Sequence, residues 1–162
     1  MRRLLMISAL GLIAACADAN GADSGTDAAA MTTAEQALPA VLVYKTPTCG
    51  CCNGWVEHMR EAGYTVDARD VRDLMTVKRD AGVPVQMSSC HTSLIDGYVV
   101  EGHVPAEQIA RLLAERPEIV GIAAPGMPMG SPGMEGPTAQ PYQIYSFDAN
   151  GNANVFAEID PR

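Results

Sequence analysis

Three cysteines lie within four residues of this chain, at Cys49, Cys51 and Cys52. They follow the apolar run 41–44, which predicts a buried strand, and they precede apolar residues at helical spacing. We therefore expect them where a strand passes into a helix. A helix N-terminus offers free N–H groups and positive potential, which favour the thiolate form of cysteine. Because thiolates attack disulfides and bind soft metals, the pattern predicts redox or metal chemistry.

The spacing of Cys49 and Cys52 is typical both of the thioredoxin redox site and of metal sites. Cys51 favours a metal, because a dedicated redox pair needs no third thiol, whereas three thiolates can bridge several soft ions. The remaining interpretation is a structural disulfide between Cys49 and Cys52 with Cys51 inert in the core. The sequence leaves these alternatives open.

A second group of soft ligands lies at Met87, Cys90 and His91, which offer a thioether, a thiolate and an imidazole within five residues. Cys90 could instead form a disulfide with one of the first three cysteines, and His91 could be an ordinary hydrogen-bonded residue. His103 either reaches the site from the end of a strand or caps the helix that follows.

Three methionines, Met127, Met129 and Met134, fall within eight residues of a segment rich in proline and glycine. Core methionines follow a helix or strand period, and this composition excludes both. Thioethers suit Cu(I), although a methionine-lined cover over the domain is the alternative. Structural zinc sites usually take two well-separated cysteine pairs, and methionine is a poor zinc ligand, so the whole donor set favours copper.

The elements that position these residues follow from apolar periodicity and turn residues. Strands are predicted over 41–44, 64–67, 94–95, 98–100 and 119–122, and helices over 52–59, 74–81 and 105–116. A Pro/Gly-rich loop covers 125–141, and strands over 143–147 and 154–159 form a C-terminal β-hairpin. This order predicts an α/β domain with a mixed sheet and flanking helices. His58 lies about 10 Å along its helix from Cys51 and is expected at the surface.

Composition restricts the function classes. The chain has 162 residues, a net charge of −8 and a mean hydropathy of +0.03, which indicates one globular domain with a tail. The acidic balance argues against nucleic acid and against an anionic membrane surface as partners. Five Cys and nine Met stand against two Phe and one Trp. No phosphate loop, nucleotide fingerprint or Ser/His/Asp pattern is present.

Residues 1–15 are typical of an export signal, with Arg2 and Arg3 ahead of a short apolar stretch. Small residues before Cys16 resemble a lipobox, which predicts cleavage at residue 15 and lipidation of Cys16; cleavage after 17–19 is the alternative. Residues 16–39 lack an apolar period and predict a flexible tether, so the domain occupies 40–162. The expected location is the periplasm, with a lipid anchor and, because Ala17 follows the lipidated position, the outer membrane.

Four motifs occur in order: Val-Tyr-Lys-Thr-Pro-Thr-Cys-Gly-Cys-Cys-x-x-Trp at 43–55, Met-x-Ser-Cys-His-Thr at 87–92, Glu-Gly-His-Val-Pro at 101–105, and Gly-Met-Pro-x-Gly-Ser-Pro-Gly-Met-Glu at 126–135. Together they resemble the CopG-type periplasmic copper-resistance proteins over roughly residues 40–160. The resemblance implies a thioredoxin-like fold, a cysteine-bridged cluster of several Cu(I) ions, and a role in interconverting Cu(I) and Cu(II). The implied ligands are Cys49, Cys51, Cys52 and Cys90, with His91, His103, Met127, Met129 and Met134 as weaker transfers.

The sequence thus predicts an anchored envelope protein that binds Cu(I), contributes to copper resistance and exchanges ions with periplasmic copper-export or copper-carrier proteins. The alternative is a thioredoxin-type thiol–disulfide oxidoreductase, in which Cys49 is the nucleophile and Cys52 the resolving thiol. A third possibility is a structural disulfide domain with an interaction role. Whether the protein is an enzyme is left open.

Overall fold

A computed structural model describes residues 37–162 of the chain. The predicted signal peptide, the lipidation of Cys16 and nearly all of the predicted tether lie outside the described residues and stay predictions. Within the described range, none of the helices combines the length and the apolar content needed to cross a membrane.

Seven strands form one mixed sheet in the order β2-β1-β3-β4-β5-β6-β7. Neighbours are antiparallel except for the parallel pairs β1–β2 and β4–β5. The strands are β1 Val41–Lys45, β2 Val66–Asp70, β3 His91–Ile95, β4 Tyr98–Glu101, β5 Gly121–Ala123, β6 Tyr142–Phe147 and β7 Ala153–Ile159. The helices are α1 Gly50–Glu61, α2 Leu74–Asp80 and α3 Ala106–Glu115, with a 3₁₀ turn at Val85–Met87. The predicted α/β class is confirmed, and β1 to β4 with the three helices have the thioredoxin-like arrangement.

Helix α1 forms because apolar side chains recur three and four residues apart. Its buried residues, Cys52, Trp55, Val56 and Met59, all lie on one face. The chain leaves the helix through Gly63, whose φ of +92° is a conformation that glycine adopts without strain. The helix thus presents its first turn, with the cysteines, at one edge of the sheet.

Strand β2 lies later in the chain than predicted, at 66–70 instead of 64–67. It is an edge strand that pairs with β1 alone, and Asp67, Arg69 and Asp70 are exposed. An edge strand with solvent on its faces needs no apolar pattern, so its second half carried no hydrophobic signal. Tyr64, assigned to the strand by its β propensity, is buried just ahead of it.

The predicted C-terminal hairpin is confirmed as β6 and β7. Asp148 starts the turn and accepts hydrogen bonds from the backbone N–H groups of Asn150 and Asn152. Strand β6 pairs with the short β5, which pairs with β4. The hairpin therefore extends the same sheet on the side away from β2.

Three chain segments converge at one edge of the sheet. Lys45 at the end of β1 pairs with His91 at the start of β3, and Thr92 of β3 pairs with Glu101 at the end of β4. The cysteine loop follows β1, Cys90 directly precedes β3, and His103 lies two residues after β4. Strand pairing alone thus brings both predicted ligand groups together.

Trp55 joins α1 to the segment that carries His103. It is fully buried, and its Nε1–H donates to the carbonyl oxygen of Val104 at 2.8 Å. Trp55→Phe leaves that buried carbonyl without a donor, so we expect the free energy of unfolding to fall by about 1–3 kcal/mol. Urea unfolding measures this change.

Tyr98→Phe is the matched control, because the Tyr98 hydroxyl donates to the carbonyl of Pro117, which is only half-buried and can turn to water. Equal losses of stability in the Trp55→Phe and Tyr98→Phe variants would contradict the assigned role of Trp55.

Candidate metal centre

The four cysteines of the described domain form one group. The sulfur atoms of Cys49, Cys51, Cys52 and Cys90 lie within 4.8 Å of one another. Cys49 and Cys52 form a disulfide, whereas Cys51 and Cys90 are free thiols. Cys49 precedes the first residue of α1, so Cys49, Cys51 and Cys52 lie at the helix N-terminus, as the sequence predicts.

The free thiols lie directly against the disulfide. Cys51 Sγ is 3.5 Å from Cys49 Sγ, and Cys90 Sγ is 3.4 Å from Cys52 Sγ. Cys51 is half-buried beside the other sulfurs, so it is not the inert core residue of the structural interpretation. Cys90 does not form the disulfide that the sequence left open, although it lies within van der Waals contact of Cys52.

His103 completes a second group with Cys90. Its Nε2 lies 2.8 Å from Cys90 Sγ, and its Nδ1 lies 2.7 Å from the carbonyl oxygen of Pro132. A carbonyl only accepts, so Nδ1 carries the proton and Nε2 keeps its lone pair toward the sulfur. A histidine oriented by a backbone carbonyl in this way is typical of metal ligands. Of the two roles predicted for His103, the structure supports the one at the site.

His91 is fully buried beside the same sulfur. Its Nδ1 lies 3.5 Å from Cys90 Sγ, and its ring centroid is 4.5 Å from that of Trp55. The other ring nitrogen, Nε2, has no hydrogen-bond partner among residues 37–162. Cys90, His91 and His103 therefore form a second group of potential metal ligands that shares Cys90 with the cysteine group.

Burial keeps these ligands uncharged when no cation is near. Burial, followed by the charge of Cys51, raises the pKa of the Cys90 thiol to about 12. Burial likewise lowers the pKa of His103 and places that of His91 well below its ordinary 6.5. The imidazoles are thus neutral and ready to ligate, and a cation that binds Cys90 has to displace its proton.

Residues 126–135, which we call the methionine segment, lie against the start of α1. A Cβ on Gly133 would lie 2.4 Å from the carbonyl oxygen of Cys51, so only glycine allows this approach. The same segment supplies Pro132, which holds His103. Met134 is half-buried, while Met127 and Met129 are 55 % and 37 % exposed. Their ligand role stays a prediction.

His58 is not the free surface residue that the sequence predicted. It is half-buried, and its Nε2 accepts a hydrogen bond of 3.0 Å from the backbone N–H of Ala106 at the start of α3. Pro105 has no side-chain oxygen to cap that helix, so His58 supplies the missing acceptor from α1. The position of His58, seven residues after Cys51, gave no indication of its partner Ala106, which lies 48 residues away in the sequence.

Two buried charged residues beside the site were also missed. Lys78 and Glu101 are 3 % and 0 % exposed and form an ion pair. The sequence offers two indications for Glu101: it ends the apolar run 98–100, and it opens the motif at 101–105. Nothing in that pattern distinguishes a buried carboxylate from one that faces water.

Solved structures of copper-resistance proteins share the fold of this chain. Two solved structures, titled "Copper resistance protein copG- Form 1" and "Form 2", share 45 % sequence identity with this chain at a TM-score of 0.71. Each match covers 75 % of this chain and 98 % of the solved one. The chain belongs to the CopG copper-resistance family.

The other comparisons add less to this assignment. A family model described as "Protein of unknown function, DUF411" matches residues 87–134, which include Cys90, His91 and His103 but not the first three cysteines. No curated protein sequence matches the chain. This CopG relative therefore has a cysteine cluster that could bind metal, built on its family's fold.

Protonation of His58 ought to weaken the domain. Burial lowers the pKa of His58, so below pH 6.5 the unfolded chain binds a proton that the folded chain resists. Stability is therefore fully present above pH 6.5 and falls as the pH drops through the lower, folded pKa. Urea unfolding of the disulfide-bonded protein at pH 7.5 and 5.5 measures this fall.

His58→Gln provides the control, because its amide oxygen still accepts from Ala106 N–H but does not titrate. We expect the variant to match the wild type at pH 7.5 and to lose less stability at pH 5.5. An identical fall in both proteins would exclude His58 as a cause of the pH dependence.

Proposed function

We propose that this protein binds Cu(I) in the site formed by Cys49, Cys51, Cys52 and Cys90, and that this binding contributes to copper resistance. The observation that carries the proposal is the convergence of four sulfurs within 4.8 Å of one another at one sheet edge. Thiolates prefer soft, monovalent copper, which accepts few ligands and lets one sulfur bridge two ions. His91 and His103 add neutral imidazole ligands on the Cys90 side.

Four cysteine sulfurs become available only when the Cys49–Cys52 disulfide takes up two electrons and two protons from a dithiol reductant, which is itself oxidised to a disulfide. Reduction converts that disulfide into two thiols beside the two already free. Copper then replaces the thiol protons, which makes binding pH-dependent. We infer that the reduced protein is the form that holds more than one Cu(I) ion.

A finer part of the proposal is the interconversion of Cu(I) and Cu(II). Thiolate and thioether ligands favour Cu(I), while imidazole suits both oxidation states. The site places the imidazoles of His91 and His103 beside the sulfur of Cys90. Each Cu(I) that is oxidised loses one electron, which an external electron acceptor of the cell envelope receives. This step rests on the mixed donor set and on the family resemblance.

We also propose a periplasmic location. Removal of residues 1–15 and lipidation of Cys16 would anchor the domain through a tether of residues 16–39, with Ala17 favouring the outer membrane. Periplasmic copper-export or copper-carrier proteins would then be the partners that exchange ions with the site. The methionine segment, which carries the exposed thioethers of Met127 and Met129, would be the point of transfer.

One observation favours a second candidate, a thiol–disulfide oxidoreductase. The Cys49–Cys52 disulfide lies at the N-terminus of α1 in a thioredoxin-like arrangement, where the helix stabilises a thiolate. In that mechanism Cys49 would attack a disulfide substrate and Cys52 would release the product. Cys51 and Cys90 would have no part in the reaction.

Anaerobic titration of the reduced full-length protein with Cu(I), against a competing chelator, separates these functions. We expect the wild type to retain more than one ion per chain, because its thiolates can bridge. Cys51→Ser removes a bridging sulfur from the cluster and is expected to lose a large part of the bound copper. The measurement is the amount of copper retained per protein chain.

Cys16→Ser is the matched control in the full-length chain prepared without lipidation, since there it removes a thiol that lies outside the described domain and is expected to keep the wild-type copper content. If the reduced wild type takes no Cu(I) from the chelator, the proposal that this protein binds Cu(I) is wrong. An oxidoreductase would instead reduce a disulfide substrate such as insulin, and it would lose that activity in Cys49→Ser but not in Cys51→Ser.

The methionine segment yields a separate prediction. Replacement of Met127, Met129 and Met134 by Leu removes the thioethers at nearly constant volume, so the fold is expected to keep its melting temperature. We expect faster release of Cu(I) to the chelator or altered transfer to an acceptor, measured by stopped flow. A lowered melting temperature with unchanged copper release would instead support the packing interpretation of these residues.

A further inference from the structure

The Glu101 carboxylate lies beneath the segment that carries Cys90 and His91. Its Oε1 accepts from the backbone N–H of Ser89 at 2.6 Å, and its Oε2 accepts from Thr92 Oγ1 at 2.7 Å. Ser89 directly precedes Cys90, and Thr92 directly follows His91. One carboxylate therefore holds both ends of the two-residue segment that supplies a thiolate and an imidazole.

Lys78 also holds this carboxylate in place. Its Nζ donates to Glu101 Oε1 and also to Thr92 Oγ1, the latter at 3.1 Å. The lysine comes from α2, the glutamate from β4 and Thr92 from β3, so the network connects a helix and two strands. The side chains of Lys78, Thr92 and Glu101 all have hydrogen-bond partners in this network, as a buried polar network requires.

The burial of both charges distinguishes this pair from the other ion pairs of the domain. The side chains of Lys78 and Glu101 are 4 % and 0 % exposed. Lys45 is also buried, but its partner Asp70 is 53 % exposed, and their contact joins β1 to β2 without involving Ser89 or Thr92. A fully buried ion pair is weak evidence for stability, because desolvation offsets the attraction, and fixing a geometry is the better-supported use of one.

We propose that Glu101 and Lys78 are positioning residues that fix Cys90 and His91 in the geometry needed to bind metal. The inference rests on the proposed copper site and adds residues that contact no metal themselves. Without the carboxylate, Ser89 N–H and Thr92 Oγ1 lose their common acceptor, and the segment between them gains freedom. Copper ligation then has to restrict this freedom, which weakens binding.

Competition with a Cu(I) chelator tests the inference on the reduced full-length chain. Glu101→Ala removes the acceptor and is expected to lower the affinity for Cu(I) at least tenfold. The double variant Glu101→Gln/Lys78→Met keeps the shape and the acceptor oxygen for Ser89 N–H while it removes both charges. We expect it to bind within threefold of the wild type, because geometry and not charge is what the pair supplies.

A milder pair of variants keeps the test decisive if Glu101→Ala does not fold. Thr92→Val removes one of the two contacts on the segment and is expected to weaken Cu(I) binding about threefold or more. Ser93→Ala is its matched control, since the Ser93 hydroxyl is buried and has no hydrogen-bond partner among the described residues. Ser93→Ala and Asp70→Asn are both expected to bind Cu(I) as the wild type does.

A second measurement on the copper-free protein does not depend on the proposed function. Amide hydrogen exchange of Ser89, followed by NMR, is expected to accelerate in Glu101→Ala, which removes the acceptor of the Ser89 N–H, and to stay protected in Thr92→Val and in the double variant, which keep that acceptor. Wild-type affinity for Cu(I) in Glu101→Ala or Thr92→Val would overturn the inference. An affinity in the double variant as low as that of Glu101→Ala would overturn it as well. If the wild type itself binds no Cu(I), the proposed function fails. Ser89 exchange in Glu101→Ala at the wild-type rate would separately refute the positioning role of Glu101.

Discussion

The antiparallel pairing of β1 with β3 is the constraint on which the site depends. It sets Lys45 opposite His91, so that the loop after β1 and the residue before β3 meet at the same edge of the sheet. Because α1 starts immediately after that loop, its first turn places Cys51 and Cys52 beside Cys90, which lies 38 positions later in the chain than Cys52. A one-residue slip in this register would turn His91 to the opposite face of the sheet, and the two ligand groups would no longer share Cys90.

Around these sulfurs the domain supplies orientation and partial burial. The carbonyl of Pro132 fixes the tautomer of His103 from the methionine segment, and the Glu101 carboxylate holds the Cys90 segment from below. Burial keeps the imidazoles neutral and keeps Cys90 protonated until a cation displaces the proton. These ligand types suit a soft metal. Membership of the CopG copper-resistance family is independent evidence that points to the same chemistry.

The sequence predicted the parts of this arrangement that have a period or a turn motif. Helix α1 was predictable because its apolar residues repeat every three or four positions, and the hairpin because Asp148 and Gly151 mark its turn. The second half of β2 was not, since an exposed edge strand needs no apolar pattern. The roles of His58, Lys78 and Glu101 were missed for a common reason: each depends on partners at least 9 positions away, which only the register of the sheet and the packing of α1 against α3 bring close. The partner of His103 was open for the same reason. The two-residue gap between Cys49 and Cys52 did indicate their disulfide, but the same spacing is typical of metal sites, so the sequence could not choose between them.

Crystals of the reduced, Cu(I)-loaded protein test the central claim most directly, through anomalous difference density collected on both sides of the copper absorption edge. The account predicts strong copper peaks bounded by the sulfurs of Cys49, Cys51, Cys52 and Cys90, with at least one peak within bonding distance of His103 Nε2. Copper peaks confined to other parts of the domain, or none in crystals that contain the reduced cysteines, would contradict it.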